Sequence, residues 1–374
     1  MPSKDPIRFA ADGRPRGRGL GLPYAGVPGP ANAITDVPGI EVGFATLIRG
    51  EGRLDIGKGP VRTGVTAILP RGKTRDYLPV WAGIFALNGN GEMTGSHWIE
   101  DAGYFHGPIL VTNTHSVGMA HHAAVGWMVR HYPVFASGEV WAMPVVAETF
   151  DGWLSDVNGR HVTESDVLTA IEGAAAGPVA EGNVGGGTGM ICYEFKGGTG
   201  TASRRLRLPQ GEFTVGALVQ ANFGLRPWLN LLGVPVGRHL TADRIWSQET
   251  GSVIGVVGTD APLLPSQLKR LAKRIGLGIA RTGTPSGNNS GDIFIAFSTA
   301  NARPLGAGAS LANLAYLPDE ALDPVFLGLV EAVEEAVGNA LVAAETMAGR
   351  DGHRAVALDH RELIDLMRRY GRLD

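Results

Sequence analysis

The chain has a single cysteine, Cys192, in 374 residues, which excludes an internal disulfide and a thiolate zinc site. A reducing cytoplasm is the compartment this suits. Surplus positive charge is also missing: 33 Lys and Arg stand against 36 Asp and Glu, for a net charge of −3. Nothing basic is left over to neutralise a row of phosphates, so nucleic acid is not an expected partner. No run of about 18 or more apolar residues occurs, so no helical membrane span is expected. The N-terminal stretch carries Lys4, Arg8, Arg14, Arg16 and Arg18 among Gly and Pro. It lacks the apolar stretch of about 7–15 residues that a signal peptide needs, and reads as an irregular arm.

Glycine is in surplus: 55 residues, about 15% and roughly twice ordinary usage, without the triplet period of collagen. Tight turns and close backbone approaches are implied. With 44% hydrophobic and 18% charged residues, the chain can bury a large core instead of staying disordered. Strand-length apolar segments recur at 64–69, 109–112, 140–146, 215–221, 253–257 and 293–297. Several are continuous, which fits strands covered on both faces. Helices are predicted over 117–132, over 164–175 with Thr163 as N-cap, over 266–275 before Gly276, and from Asp323-Pro324 to about Met347. Strands and helices interleave without a strict βαβ rhythm, and no internal repeat divides the chain. One layered α+β domain over 1–374 is expected.

The run Gly185–Gly189 invites a phosphate-loop reading, but Met190-Ile191 follows where a Walker loop needs Lys and then Ser or Thr. A structural turn is expected there. Ten histidines raise the question of metal, yet His121 and His122 point about 100° apart on a helix. His97, His106 and His115 lie in other segments with no H-E-x-x-H spacing, so no metal is expected. No Gly-x-Ser-x-Gly elbow occurs.

Thr250-Gly251-Ser252 precedes an apolar strand. A serine hydroxyl can attack the carbonyl just before it, and a preceding glycine tolerates the strained backbone this requires. The product is a free Ser252 N-terminus, whose amine has a reference pKa of about 7.7–8.0 and serves as general base on the nucleophile's own residue. Thr94-Gly95-Ser96 presents the same tripeptide without the apolar run. On these residues alone a plain Gly-Ser turn stays open. A second cluster, 283–292, places Ser290 and Asp292 two apart at a strand mouth, where they share one side of the chain; loop geometry explains its Pro, Gly and Asn equally well.

Together with Asn32-Ala33-Ile34-Thr35-Asp36-Val37-Pro38-Gly39, Thr112-Asn113-Thr114-His115-Ser116-Val117-Gly118 and Val145–Thr149, these motifs resemble peptidase family S58. That family comprises self-processing aminopeptidases, among them L-aminopeptidase/D-alanine esterase-amidases and β-peptidyl aminopeptidases. The resemblance covers nearly the whole chain. It implies cleavage between Gly251 and Ser252 into an α chain of 1–251 and a β chain of 252–374. It also implies a four-layer αββα sandwich, like N-terminal-nucleophile hydrolases but differently connected, assembled as a homotetramer of αβ units. Ser252 would be nucleophile and base, with Ser290 and Asp292 as supporting hydroxyl and carboxylate. Asn222 would be the oxyanion donor and Glu148 the anion that binds a substrate's free amine, with Trp141 and Phe150 lining the pocket. Two positions depart from the family pattern: Asp292 replaces a Glu of β-peptide-cleaving relatives, and Phe150 replaces a tyrosine whose hydroxyl helps the oxyanion hole. The implied substrate is a small peptide, amino-acid amide or ester, with no cofactor. An acyltransferase using the same acyl-enzyme, or an inactive small-molecule-binding scaffold, is the alternative.

Overall fold

Continuous apolar strands need cover on both faces, and two sheets packed face to face, with helices outside each, supply it. The structure, a computed structural model, describes residues 5–138, 140–249, 251–302 and 313–374. The first half runs β1 (Glu41–Arg49), β2 (Val61–Leu69), β3 (Val80–Gly89), α1 (Ser96–Ala102), β4 (Tyr104–Phe105), β5 (Ile109–Asn113), α2 (Val117–His131), β6 (Val145–Thr149) and α3 (Glu164–Glu172). A small hairpin, β7 (Ile191–Cys192) and β8 (Phe195–Lys196), leads into β9 (Gly198–Leu208), β10 (Gly211–Asn222) and α4 (Val236–His239). Then come β11 (Ser252–Thr259), α5 (Pro265–Ala280), β12 (Gly291–Ser298), α6 (Asp323–Val342), β13 (Met347–Ala348), β14 (Arg354–Ala355) and α7 (His360–Arg369).

One sheet has the order β1-β2-β5-β6 and the other β4-β3-β12-β11-β10-β9. Within them β5/β6 and β11/β12 are parallel and the remaining pairs antiparallel. Alternation along the strands divides the core into layers. On β11, Ile254 and Val256 join Val42, Ile68, Val111 and Leu218 between the sheets. Val253 and Val257 point the other way, onto Leu268 and Ile275 of α5 and Val333 and Val337 of α6. Across the molecule Val65, Ala67 and Leu110 pack on Ala124 and Trp127 of α2 and Ile171 of α3. The result is the αββα sandwich, and it explains why the strands read as unbroken apolar runs.

Several boundaries differ from the sequence reading. Strand β6 begins at Val145, and 140–144 is irregular, because Pro144 has no N–H to give a ladder. Helix α5 passes through Gly276 to Ala280. Glycine there serves packing, not termination: a Cβ on Gly278 would stand 2.6 Å from Val333 Cβ on α6. Helix α6 stops at Val342, five residues before Met347, and Asp323 is its first residue, Leu322 being the cap. Strands β1, β3 and β9 were not anticipated. Strand β9 hides Thr199, Thr201, Ser203 and Arg204 because the N-terminal arm docks against it. Arg16 is buried, bonds Glu181 at 2.8 Å and donates to the Thr201 carbonyl at 2.7 Å. Burial pushes the Glu335 carboxyl up, but Arg204 and Arg18 outweigh that and hold it below its ordinary range.

Helix α6 crosses β9 so closely that a Cβ on Gly200 would stand 2.0 Å from the Ala336 carbonyl oxygen. Gly200→Ala is expected to lower stability by about 1–3 kcal/mol, seen as a lower urea midpoint. An unchanged midpoint would show that the helix can retreat freely.

Candidate active site

Three strand ends meet at Ser252. Its antiparallel partner is Asn222, the last residue of β10, and its parallel partner is Gly291, the first of β12. Cross-strand partners share a face, so Ser252 and Asn222 project toward the layer between the sheets, at the mouth of the sandwich. From the other sheet Glu148, near the end of β6, faces the same opening. A cavity of about 590 Å³ joins Gly251, Ser252, Glu148, Phe150, Thr114 and Glu92. Thr250, the first residue of the tripeptide, lies outside the described residues.

Glu148 is 5% exposed. The Thr114 hydroxyl donates to one of its carboxylate oxygens and the Glu92 backbone N–H to the other, at 3.1 Å. Burial pushes its pKa up, and these two donors pull against the rise. A substrate ammonium would restore what solvent no longer supplies. A Cβ on Gly91 would stand 3.0 Å from Glu148 Oε1, so glycine there gives the carboxylate room.

Asn222 accepts from the Ile191 N–H at 2.8 Å through Oδ1 and donates through Nδ2 to the Phe150 carbonyl at 3.1 Å. A primary amide carries two N–H groups, so one is left over. Beneath it the Gly185–Gly189 run is a buried helical turn. Lys196 Nζ donates to the carbonyls of Gly187 at 3.3 Å, Met190 at 2.8 Å and Gly197 at 2.9 Å, tying that turn to the hairpin that presents Ile191. Burial pushes the Lys196 pKa down to about 7.

Ser290 and Asp292 flank Gly291, so strand alternation turns them away from the Ser252 side chain while keeping them beside its backbone. Ser290 Oγ donates to Asp292 Oδ1 at 2.6 Å, and the Ser286 hydroxyl donates to Oδ2. Burial pushes the Asp292 pKa up against both hydroxyls. Glu249, near Gly251, accepts from the Gly224 N–H at 2.7 Å. Burial pushes its pKa up too, and the Asp292 charge adds to the rise. The Phe150 ring lines the cavity, half exposed, and brings no donor.

Trp141 does not line this cavity. It is 69% exposed and borders a separate pocket of about 300 Å³ with Tyr77, Trp98, Tyr104 and His106. The irregular segment before Val145 carries it to the surface, where the sequence reading had a strand. Glu249 and Thr114 escaped the sequence reading as site residues, because a lone acid and a lone hydroxyl carry no motif. Among the described residues no cluster of His, Cys, Asp or Glu is arranged to hold a metal ion.

Layers and site together define an N-terminal-nucleophile-like αββα hydrolase. The model of peptidase family S58 matches residues 32–355. The beta-peptidyl aminopeptidase BapA of Sphingosinicella microcystinivorans is 51% identical over 96% of this chain and 93% of its own. BapA of Sphingosinicella xenopeptidilytica is 45% identical over 95% and 91%. The solved structure of the L-aminopeptidase D-ala-esterase/amidase from Ochrobactrum anthropi matches with a TM-score of 0.92 at 56% identity, covering 96% of this chain and all of that one. The chain belongs to peptidase family S58 and is an aminopeptidase.

Asn222 also has a structural duty. Asn222→Ala leaves the Ile191 N–H and the Phe150 carbonyl without partners, and should destabilise the fold by about 1–3 kcal/mol in urea unfolding. A smaller loss would mean that water enters and satisfies both groups.

Proposed function

We propose that the chain cleaves itself between Gly251 and Ser252 and then releases N-terminal residues from small peptides, amides or esters through an acyl-enzyme on Ser252. The observation that carries this is the placement of Ser252: it opens a buried core strand, beside Asn222, and shares one cavity with Glu148. In the first step Ser252 Oγ bonds to the Gly251 carbonyl carbon, the Gly251–Ser252 C–N bond breaks, and water hydrolyses the resulting ester. Residues 1–251 end in a carboxylate, and 252–374 begin with a free amine. That amine takes the proton of its own hydroxyl as Oγ attacks the substrate carbonyl. The spare Asn222 N–H meets the charge developing on the carbonyl oxygen. The amine then passes the proton to the leaving amine or alcohol, and water frees the acyl residue.

Glu148 binds the substrate's ammonium and thereby fixes which bond reaches Ser252. Ser290 and Asp292, beside the Ser252 backbone, hold the new amine in place. Asp292 is one methylene shorter than a glutamate and draws on the Ser286 and Ser290 hydroxyls. Phe150 forms a wall only. The same reading takes the enzyme to be a homotetramer of αβ units, on the strength of the family resemblance, and cytoplasmic, on the strength of its single cysteine.

A denaturing gel of active material is expected to show two bands, about two-thirds and one-third of the mass, while Ser252→Ala gives one band and no turnover. Full turnover by intact Ser252→Ala would overturn the proposal. Phe150→Tyr restores a donor beside the developing oxyanion. One such donor is worth about 10²–10³ in kcat, so kcat should rise toward that limit on an amino-acid amide, and an unchanged kcat would remove the hydroxyl from the argument.

A further inference from the structure

Asp151 follows Phe150 at the cavity wall and is 1% exposed. Both carboxyl oxygens are sealed from solvent with no partner in hydrogen-bond geometry. An unsupported buried carboxyl is costly, yet the backbone holds it there. The Leu154 and Ser155 N–H groups donate to the Asp151 carbonyl at 3.1 and 3.0 Å. Gly189 packs so close that its Cβ would stand 2.7 Å from Asp151 Cβ.

Two donors stand near enough to favour its charged form, the Thr63 hydroxyl and the backbone N–H of Asp151 itself, and Thr63 is the only side chain of the two. Thr63 Oγ1 accepts from Asn113 Nδ2 at 2.7 Å, which leaves the hydroxyl hydrogen for Asp151. Asn113 Oδ1 accepts from the His115 N–H at 3.0 Å and so caps the turn after β5. Thr114 in that turn donates to Glu148. A path of hydrogen bonds and one turn thus leads from Thr63 to Glu148, and Asp151, which packs with the Arg62 carbonyl around Gly189, lies beside its first member.

We propose that Asp151 is a positioning residue of the amine-binding site, acting through Thr63 and Asn113 on the turn that aims Thr114 at Glu148. The inference rests on Glu148 as the ammonium site. Burial pushes the Asp151 pKa up to about 7, with the Glu148 charge adding to it. Glu92 and His115 act on Glu148 from the segments before α1 and α2. The nearby cations are turned elsewhere: the Arg62 guanidinium donates to the carbonyls of Arg49, Gly50, Val61 and Ala348, and Lys196 to those of Met190 and Gly197. An ammonium on Glu148 offsets the repulsion between the two carboxyls, so Asp151 ionises as substrate arrives and draws the Thr63 hydroxyl into a hydrogen bond it does not make before.

Steady-state kinetics of the processed enzyme on L-alanine amide, with Asp151→Asn, Thr63→Val, Thr63→Ser and Glu148→Gln, test this. Asp151→Asn and Thr63→Val should each raise KM about 5–10-fold with kcat within about twofold, and Thr63→Ser should keep the wild-type KM. Asp151 holds its proton to about pH 7 when folded, against 3.8 for the free side chain. Its contribution to stability therefore falls as pH rises from 3.8 to about 7, and Asp151→Asn should melt no lower than wild type at pH 8. A wild-type KM in Asp151→Asn beside a raised KM in Glu148→Gln overturns this inference alone. A wild-type KM in Glu148→Gln removes the amine site, and the inference with it. A fall in kcat together with a lower melting temperature in Asp151→Asn would make the residue merely structural, and also overturns it.

Discussion

The site depends on the clamping of Ser252 between two strands. Strand β11 is buried along its whole length, paired with β10 on one side and β12 on the other. Fixing one residue's backbone forgoes about 1–2 kcal/mol of conformational entropy, and here the ladder has met that requirement before any chemistry starts. A terminus created at Ser252 keeps its neighbours on both flanks, so the amine and hydroxyl need no further ordering to act on a bound carbonyl. Ser96, which has the same preceding glycine but opens helix α1 instead of a core strand, has no such clamp.

The second constraint is that the proposed nucleophile and the proposed ammonium-binding carboxylate come from different sheets. Ser252 and Asn222 belong to the six-stranded sheet and Glu148 to the four-stranded one, so the apolar layer between them sets the gap. Glycine is used where backbones must come close. A Cβ on Gly251 would stand 2.2 Å from the Asn222 carbonyl oxygen, and one on Gly186 would stand 2.1 Å from Gln220 Oε1 and 2.5 Å from the Val111 carbonyl. Gly251 is thus required by packing against β10, independently of the strain that a self-cleaving bond would need.

Much of this was legible in the sequence, for reasons that also mark where reading fails. The runs at 215–221, 253–257 and 293–297 were found because both faces of these strands are apolar. Strand β9 was missed because Thr201 and Ser203 are buried by partners distant in sequence, Arg16 and Asn339 at Thr201 and Asn32 at Ser203. Gly276 misled because a glycine that lets helices approach looks like one that ends a helix. At the site, Ser252, Asn222, Glu148, Ser290 and Asp292 were named from long motifs that resemble a family. Trp141 went astray because its segment does not continue β6. Glu249 and Asp151 carry no local pattern, and their weight comes from burial, which only the fold reveals.

That burial has an electrostatic sense. Far from the cavity the fold answers buried carboxylates with arginines: Arg16 at Glu181, and Arg18 and Arg204 at Glu335. Around Ser252 it does not. Glu148, Asp151, Glu249 and Asp292 are all pushed up by burial, with hydroxyl and backbone donors as their main relief. Four under-compensated carboxyls near one opening form a region that gains most from an arriving cation. A substrate with a free ammonium would supply that cation and one with a blocked amine would not, so under the role proposed for Glu148 the charge balance of the interior joins the shape of the pocket in the discrimination an aminopeptidase needs.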